Sequence, residues 1–112
     1  MADSRTKQIR IKTGVVKRLA KEKLMYEKEA EKEKAKLEKM KASGEDSYMI
    51  RKQEEVIKES IMMIPDTVKR YQVAHNELQE ILDNELELAE SEEYQAALEV
   101  LKETSKTIEA TN

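Results

Sequence analysis

The stretch Ile50–Leu82, IRKQEEVIKESIMMIPDTVKRYQVAHNELQEIL, carries a repeat whose positions alternate in spacing between four and three residues. Eight of its ten positions are apolar. The positions are Ile50, Glu54, Ile57, Ile61, Ile64, Val68, Tyr71, His75, Leu78 and Leu82. Such a spacing forms an apolar stripe along one side of an α-helix, and other helices must cover it. An interior proline usually bends or breaks a helix, but the repeat passes Pro65 without a shift. The pattern predicts one helix, about residues 48–84, kinked near Pro65.

The segment that precedes this stretch repeats the same spacing over a similar length. Its stripe consists of Ile9, Lys12, Val16, Leu19, Lys23, Tyr26, Ala30, Glu33, Leu37 and Met40. The other sides of this segment carry mostly Lys and Glu, which is typical of a helix surface in water. We therefore expect a first helix from about residue 3 to residue 42.

Short connections join these segments to each other and to a third helix. Gly44 is suited to end the first helix, and Asp46 or Ser47 to cap the second. Ser91 can cap a third helix, about residues 91–107, with a frayed end from Thr107 to Asn112. Its spaced apolar residues are Tyr94, Ala97, Leu98, Leu101 and Ile108. Because short loops join antiparallel neighbours, the predicted fold class is all-α: one domain over residues 1–112, an elongated antiparallel three-helix bundle of coiled-coil type.

The composition agrees with long helices and argues against several other classes. Charged residues make up 40% of the chain and aromatic residues 4%, and there is no Cys. A β-sandwich needs more aromatic residues, and a disulfide scaffold needs cysteines. The sequence contains neither an apolar run of membrane-spanning length nor an N-terminal signal pattern. The net charge of −3 gives no general attraction to nucleic acid. We expect neither a membrane nor a nucleic-acid partner.

Catalytic and metal-binding chemistry find little support in the sequence. His75 is the single histidine and falls on the apolar stripe, where a packed core histidine is the simpler interpretation. A catalytic base needs a nucleophile and an orienting partner, and neither is identifiable. No Glu-x-x-His spacing or Gly-rich phosphate loop is present. The sequence predicts a protein that is not an enzyme and that binds no metal or cofactor.

Charge is distributed unevenly along the chain. Residues 1–23 contain eight basic and two acidic side chains, whereas residues 71–101 contain nine acidic and no basic side chains. One interpretation is that these segments pair within an antiparallel bundle and set its register. The other is that a basic face binds an acidic partner. The sequence leaves both open.

Several apolar side chains fall outside the stripes and are candidates for contact with a partner. Methionine adapts readily to apolar partners, although a distortion at Pro65 could instead turn one methionine inward. A bundle of three helices buries a broader face than a pair does, so some of these side chains could be partly buried. Together with two residues of the basic segment, the candidates are Ile11, Lys17, Arg18, Met25, Met62 and Met63.

Four regions of the chain carry a resemblance to a known family. They are Gln8–Leu19, then Lys21–Lys23 with Tyr26–Ala30, then Glu59–Ser60 with Met62–Asp66, and finally Glu92–Tyr94 with Ala97. In this order they resemble the tubulin-binding cofactor A family over almost the whole chain. An ordered match of this kind is more specific than any helical pattern alone.

The resemblance implies a non-catalytic chaperone that captures β-tubulin after the chaperonin and meets the other tubulin-folding cofactors only indirectly. It also implies a cytoplasmic, cytoskeleton-associated monomer, with a dimer as the alternative because some relatives dimerise. Periodicity by itself supports a different function equally well, namely a structural coiled-coil or adaptor module of another assembly.

Overall fold

The computed structural model describes residues 3–110 as three α-helices joined by short connections. The helices are α1 (Ser4–Ala42), α2 (Ser47–Asn84) and α3 (Glu92–Ala110), and a 3-10 turn (Leu86–Leu88) lies between α2 and α3. The described residues include no strand, which confirms the all-α class. Together the helices form a rod of 64 × 21 × 21 Å.

Capping groups set the ends of the helices. The side chain of Asp3 accepts a hydrogen bond from the Arg5 backbone N–H at 2.8 Å. Asp46 accepts one from the Met49 N–H at 2.9 Å, so Asp46 rather than Ser47 caps α2. Gly44, in the connection that follows α1, has a φ of 73°, a conformation that favours glycine. These contacts satisfy backbone groups that a helix end otherwise leaves unpaired.

Helix α3 is longer than its sequence pattern indicated. The Ser91 hydroxyl accepts a hydrogen bond from the Tyr94 N–H at 3.2 Å, as expected for a cap. The helix then continues to Ala110 instead of fraying from Thr107. Burial of Ile108 accounts for the difference, because this side chain belongs to the apolar core. Residues 111 and 112 of the expected frayed end lie outside the described residues.

Pro65 lies inside α2, and the helix extends without interruption on both sides of it. The prediction of one helix rather than two is therefore confirmed. Proline has no N–H and cannot donate the usual hydrogen bond to the carbonyl of Ile61. A bend at this position stays a prediction.

The main apolar cluster lies in the half of the rod where all three helices meet, and the buried apolar side chains outside it are Ala30 and Ile57 among the described residues. Helices α1 and α2 contain 39 and 38 residues, whereas α3 contains 19. Helix α3 packs chiefly against α1. The buried core consists of Ile9, Val16, Leu19, Ala20, Tyr71, Ala74, Leu78, Leu82, Tyr94, Ala97, Leu101 and Ile108. The other half of the rod is a hairpin of α1 and α2 alone.

The stripe predicted for α1 faces the interior, but α2 is rotated relative to its prediction. All ten predicted positions of α1 are buried or half-buried. On α2, Glu54 and Ile61 are exposed, and Val68 and His75 are only half-buried. Four residues one position earlier in the chain are buried in their place. They are Gln53, Ser60, Thr67 and Ala74.

This rotation of α2 is possible because the buried polar side chains find partners. The Gln53 side-chain amide donates to the Glu33 backbone carbonyl at 2.9 Å. The Thr67 hydroxyl donates to the Met63 carbonyl at 2.8 Å. A buried polar group with a hydrogen-bond partner escapes most of the cost of leaving water. Glu54 and Ile61 were therefore wrongly assigned to the interior by a pattern that scores hydrophobicity alone.

Opposite charges meet at the end of the rod where α1 begins. The Arg5 guanidinium donates to Glu85 at 3.0 Å and also contacts Glu87 and Asp3. The hydrogen bond from the Arg5 side chain holds the pKa of the Asp3 carboxyl below the ordinary value. Farther along, Lys12 pairs with Glu77 at 3.5 Å. These contacts support the interpretation that the uneven charges pair within the bundle.

Replacement of Gly14 by alanine is expected to stabilise the protein by about 0.5–1 kcal/mol, because glycine weakens a helix interior. Gly14 is exposed within α1, and an added Cβ would meet no atom within 4 Å. Packing inside the chain therefore does not require glycine here. Urea unfolding followed by circular dichroism would measure the gain. A loss of stability would show that the position has a constraint absent from this structure.

Candidate partner-binding surface

His75 makes an interhelical contact and is not arranged as a catalytic base. Its Nε2 lies 3.1 Å from the Ser105 hydroxyl on α3, and its ring lies 5.7 Å from that of Tyr71. The Tyr71 hydroxyl in turn lies 2.9 Å from Thr104 Oγ1. No carboxylate hydrogen-bonds His75 within residues 3–110. The contact between His75 and Ser105 joins α2 to α3. Sequence analysis did not identify Ser105 as the partner of His75.

Two other kinds of site are absent from the described part of the chain. No group of three or more His, Cys, Asp or Glu side chains there is arranged to hold a metal ion. None of the described helices combines the length and the apolar character that a membrane span requires.

The long hairpin of α1 and α2 has two grooves, and α3 lies in one of them. On that side, Arg10 and Thr13 of α1 line a cleft with α3, and Gln72 and Asn76 of α2 line another. The opposite groove, which we call the open groove, is lined by residues of α1 and α2 only.

The open groove runs along much of the rod, because its lining residues follow one another at steps of three or four. Its middle segment has a volume of about 400 Å³ and includes Val15, Arg18, Leu19, Lys69, Arg70 and Val73. Its segment in the two-helix half has a volume of about 460 Å³ and includes Tyr26, Val56, Ser60, Met62 and Met63. Both segments are open to solvent and largely apolar.

Three of the predicted contact residues share one edge of α1. Ile11, Arg18 and Met25 are seven residues apart and therefore lie in line along the helix. Arg18 borders the open groove, so Ile11 and Met25 lie on the same side. Ile11 is 53% exposed and Met25 is 51% exposed. The structure thus places an exposed apolar edge next to the groove.

The α2 candidates lie across the groove from this edge. Met62 is 62% exposed and Met63 is 36% exposed, and both line the groove. Neither is turned into the core by Pro65. Val56 and Val73 are also exposed at the groove, and the sequence did not identify them. Their spacing from Met63 puts them on the same side of α2, but the sequence does not show which side stays open.

Lys17 does not join the other candidates. Arg10, which lies one seven-residue step before Lys17, borders the cleft between α1 and α3. Lys17 therefore lies on the opposite edge of α1 from Ile11 and Arg18. Of the six predicted residues, Arg18, Met62 and Met63 line the open groove. Ile11 and Met25 share the edge of α1 on which Arg18 lies, and Lys17 is outside the groove.

The sequence of the chain is similar to sequences of known proteins. The family model described as tubulin binding cofactor A matches residues 4–101. The tubulin-specific chaperone A of Gallus gallus is 58% identical over 102 residues, which cover 91% of this chain and 94% of that protein.

Two solved structures share the fold. The human tubulin chaperone cofactor A superposes with a TM-score of 0.75 at 51% identity, covering 90% of this chain and 98% of that one. The tubulin folding cofactor A of Arabidopsis thaliana gives a TM-score of 0.81 at 38% identity, covering 92% of this chain and 97% of that one. With the match of the family model to most of the chain, these likenesses establish that the chain belongs to the tubulin binding cofactor A family.

Proposed function

We propose that the protein is a non-catalytic tubulin-folding cofactor that captures β-tubulin intermediates after their release from the chaperonin. Membership of the tubulin binding cofactor A family over residues 4–101 is the observation that carries this proposal. The names of the relatives, tubulin-specific chaperone A and tubulin-folding cofactor A, agree with a chaperone rather than an enzyme. The expected site of action is the cytoplasm, in association with the cytoskeleton.

The open groove is the surface proposed to meet tubulin. Arg18 of α1 and Met62 and Met63 of α2 line it. Seven-residue spacing puts the exposed Ile11 and Met25 on the same edge of α1 as Arg18. Exposed apolar side chains at a groove are typical of a protein interface. The rod would cover apolar surface on the client and thereby prevent its aggregation. This mechanism requires no nucleotide.

The direct test is capture of labelled β-tubulin. The protein is mixed with fluorescent β-tubulin and separated by gel filtration or on a native gel, and comigration is expected at micromolar concentration. Sedimentation of the protein alone would be measured in parallel, with a monomer expected. Absence of a complex, together with self-association into an extended coiled coil, would favour a structural module instead.

Replacement of Met62 and Met63 by serine is expected to weaken β-tubulin binding about tenfold or more. Loss of buried apolar area at an interface costs about 25 cal/mol per Å², and these two side chains are exposed in the free protein. Binding would be measured by titration of labelled β-tubulin. Helicity and the urea midpoint are expected to change little, because neither side chain belongs to the core.

The matched control for this variant is Leu98→Ser. Leu98 is 40% exposed on α3, away from the open groove. We expect this substitution to leave binding unchanged within about twofold, because surface changes away from an interface have small effects. A sharp fall in stability of the methionine variant, or equal losses of binding in both variants, would contradict the assignment.

A further inference from the structure

The middle segment of the open groove carries basic side chains on both of its edges. Arg18 lies on α1, and Lys69 and Arg70 lie on α2, with Val15, Leu19 and Val73 between them. Glu77 of α2 also lines this segment, but its carboxylate pairs with Lys12 of α1 at 3.5 Å. The other charged side chains that line the segment are basic, and they lie on both helices.

The acidic partners of these residues do not bridge the groove. Arg18 pairs with Glu22 at 3.6 Å and Arg70 pairs with Asp66 at 3.3 Å, each along its own helix. The Arg18 side chain is 65% exposed and that of Arg70 is 50% exposed. Exposed pairs of this kind contribute little to stability, so these cations can exchange partners at small cost. An anionic group placed between the edges would be attracted by both helices.

The shape of the groove favours a helix as its occupant. The same two helices hold α3 in their other groove through an apolar stripe on one side of that helix. The stripe consists of Tyr94, Ala97, Leu101, Thr104 and Ile108. The open groove also presents apolar side chains from Val56 to Val73. At about 1.5 Å per residue this distance is about 25 Å, which corresponds to a helix of about 17 residues.

We propose that the open groove binds an amphipathic helix of the tubulin client, with a carboxylate of that helix seated between Arg18 and the pair of Lys69 and Arg70. The apolar side of the client helix packs on Val73 and on the methionines of the two-helix half. This inference rests on the proposed function and adds to it the chemical nature of the segment that is recognised. Charge at the centre of the groove fixes the register of that helix, and the apolar contacts supply most of the affinity.

Charge reversal on α2 tests the electrostatic part of the proposal. In the double variant Lys69→Glu with Arg70→Glu, the dissociation constant for labelled β-tubulin is expected to rise at least about tenfold. The neutral variant Lys69→Gln with Arg70→Gln is expected to give a smaller rise. The matched control is Lys102→Glu with Lys106→Glu on exposed positions of α3, which changes the net charge equally and is expected to leave binding within about twofold.

Photocrosslinking tests the identity of the bound segment. A photoreactive amino acid at position 73, whose native valine is 59% exposed, is irradiated in the complex with β-tubulin, and the crosslinked peptide is identified by mass spectrometry. The expected peptide forms a helix in folded tubulin and has a carboxylate next to an apolar stripe. A strand, a basic segment or the absence of crosslinks from a stable complex would overturn the proposal.

Failure of the two proposals gives different results. If the unmodified protein forms no complex with β-tubulin, the proposed function is wrong, and so is the proposal that the groove binds a client helix. If the complex forms but groove and control charge reversals weaken it equally, only the seat for the carboxylate is wrong. Circular dichroism melting of every variant would show that the compared proteins are folded.

Discussion

Truncation of Leu78 to alanine is expected to lower the free energy of unfolding by about 2–5 kcal/mol. Leu78 is 0% exposed and belongs to the core where all three helices meet. Truncation loses the favourable free energy of transferring the leucine side chain from water to the interior. It also leaves a cavity that the surrounding helices can fill only in part. Urea unfolding monitored by far-ultraviolet circular dichroism would give the change.

The matched control for this truncation is Val73→Ala on the same helix. Val73 is 59% exposed at the open groove, so its truncation is expected to change stability by no more than about 0.5 kcal/mol. A comparable loss in the two variants would mean that the two sides of α2 are equally buried. That result would contradict the orientation of the helix described above.

Replacement of Lys23 by methionine is expected to cost about 2–4 kcal/mol, although methionine is apolar and of similar length. The Lys23 side chain is 1% exposed, and its ammonium lies 3.6 Å from Glu27 Oε1 and 3.5 Å from the Ile108 carbonyl. Glu27 Oε1 is itself buried and has no hydrogen-bond partner. Without the ammonium, this oxygen would lose its neighbouring positive charge. The expected cost is below that of a fully buried pair, because the Glu27 side chain is 29% exposed.

A second substitution separates the charge from the packing of this lysine. Glu27→Gln in the Lys23→Met background is expected to recover at least about 1 kcal/mol, because the uncompensated charge is then gone. Glu27→Gln alone serves as the fourth corner of the double-mutant cycle. If the changes in unfolding free energy caused by the two substitutions are additive, Lys23 stabilises the protein only through the apolar part of its side chain.

The sequence predicted α1 more accurately than α2 for a physical reason. On α1 the apolar side is unambiguous, and even Lys23, which looks out of place on the stripe, is buried there. On α2 two registers share Ile57, Tyr71 and Leu78, and they differ only in the residues beside them. In the register that the structure adopts, Gln53 donates to the Glu33 carbonyl of α1 and Thr67 donates to the Met63 carbonyl within α2. Hydrophobic periodicity does not reveal the Gln53 bond, since that bond depends on the position of α1.

The candidate surface was predictable only in part. Seven-residue spacing already puts Ile11, Arg18 and Met25 on one edge of α1, and it separates Lys17 from them. Which groove of the hairpin is occupied by α3 depends on tertiary packing between α1 and α3, so the sequence could not identify the vacant side. Val56 and Val73 were missed for this reason. Their position at the groove becomes visible only when both helices are seen together.

The difference in length between α3 and its two neighbours has a consequence for cooperativity. Segments with few buried contacts open with smaller free energies than the global transition requires, and they do so as separate units. The two-helix half, which α3 does not cover, should exchange its amide hydrogens sooner than the three-helix half around Leu78. In client recognition, the two-helix half would then be the flexible part and the three-helix half the stable part. The two-helix half could adjust to a partner that has not finished folding.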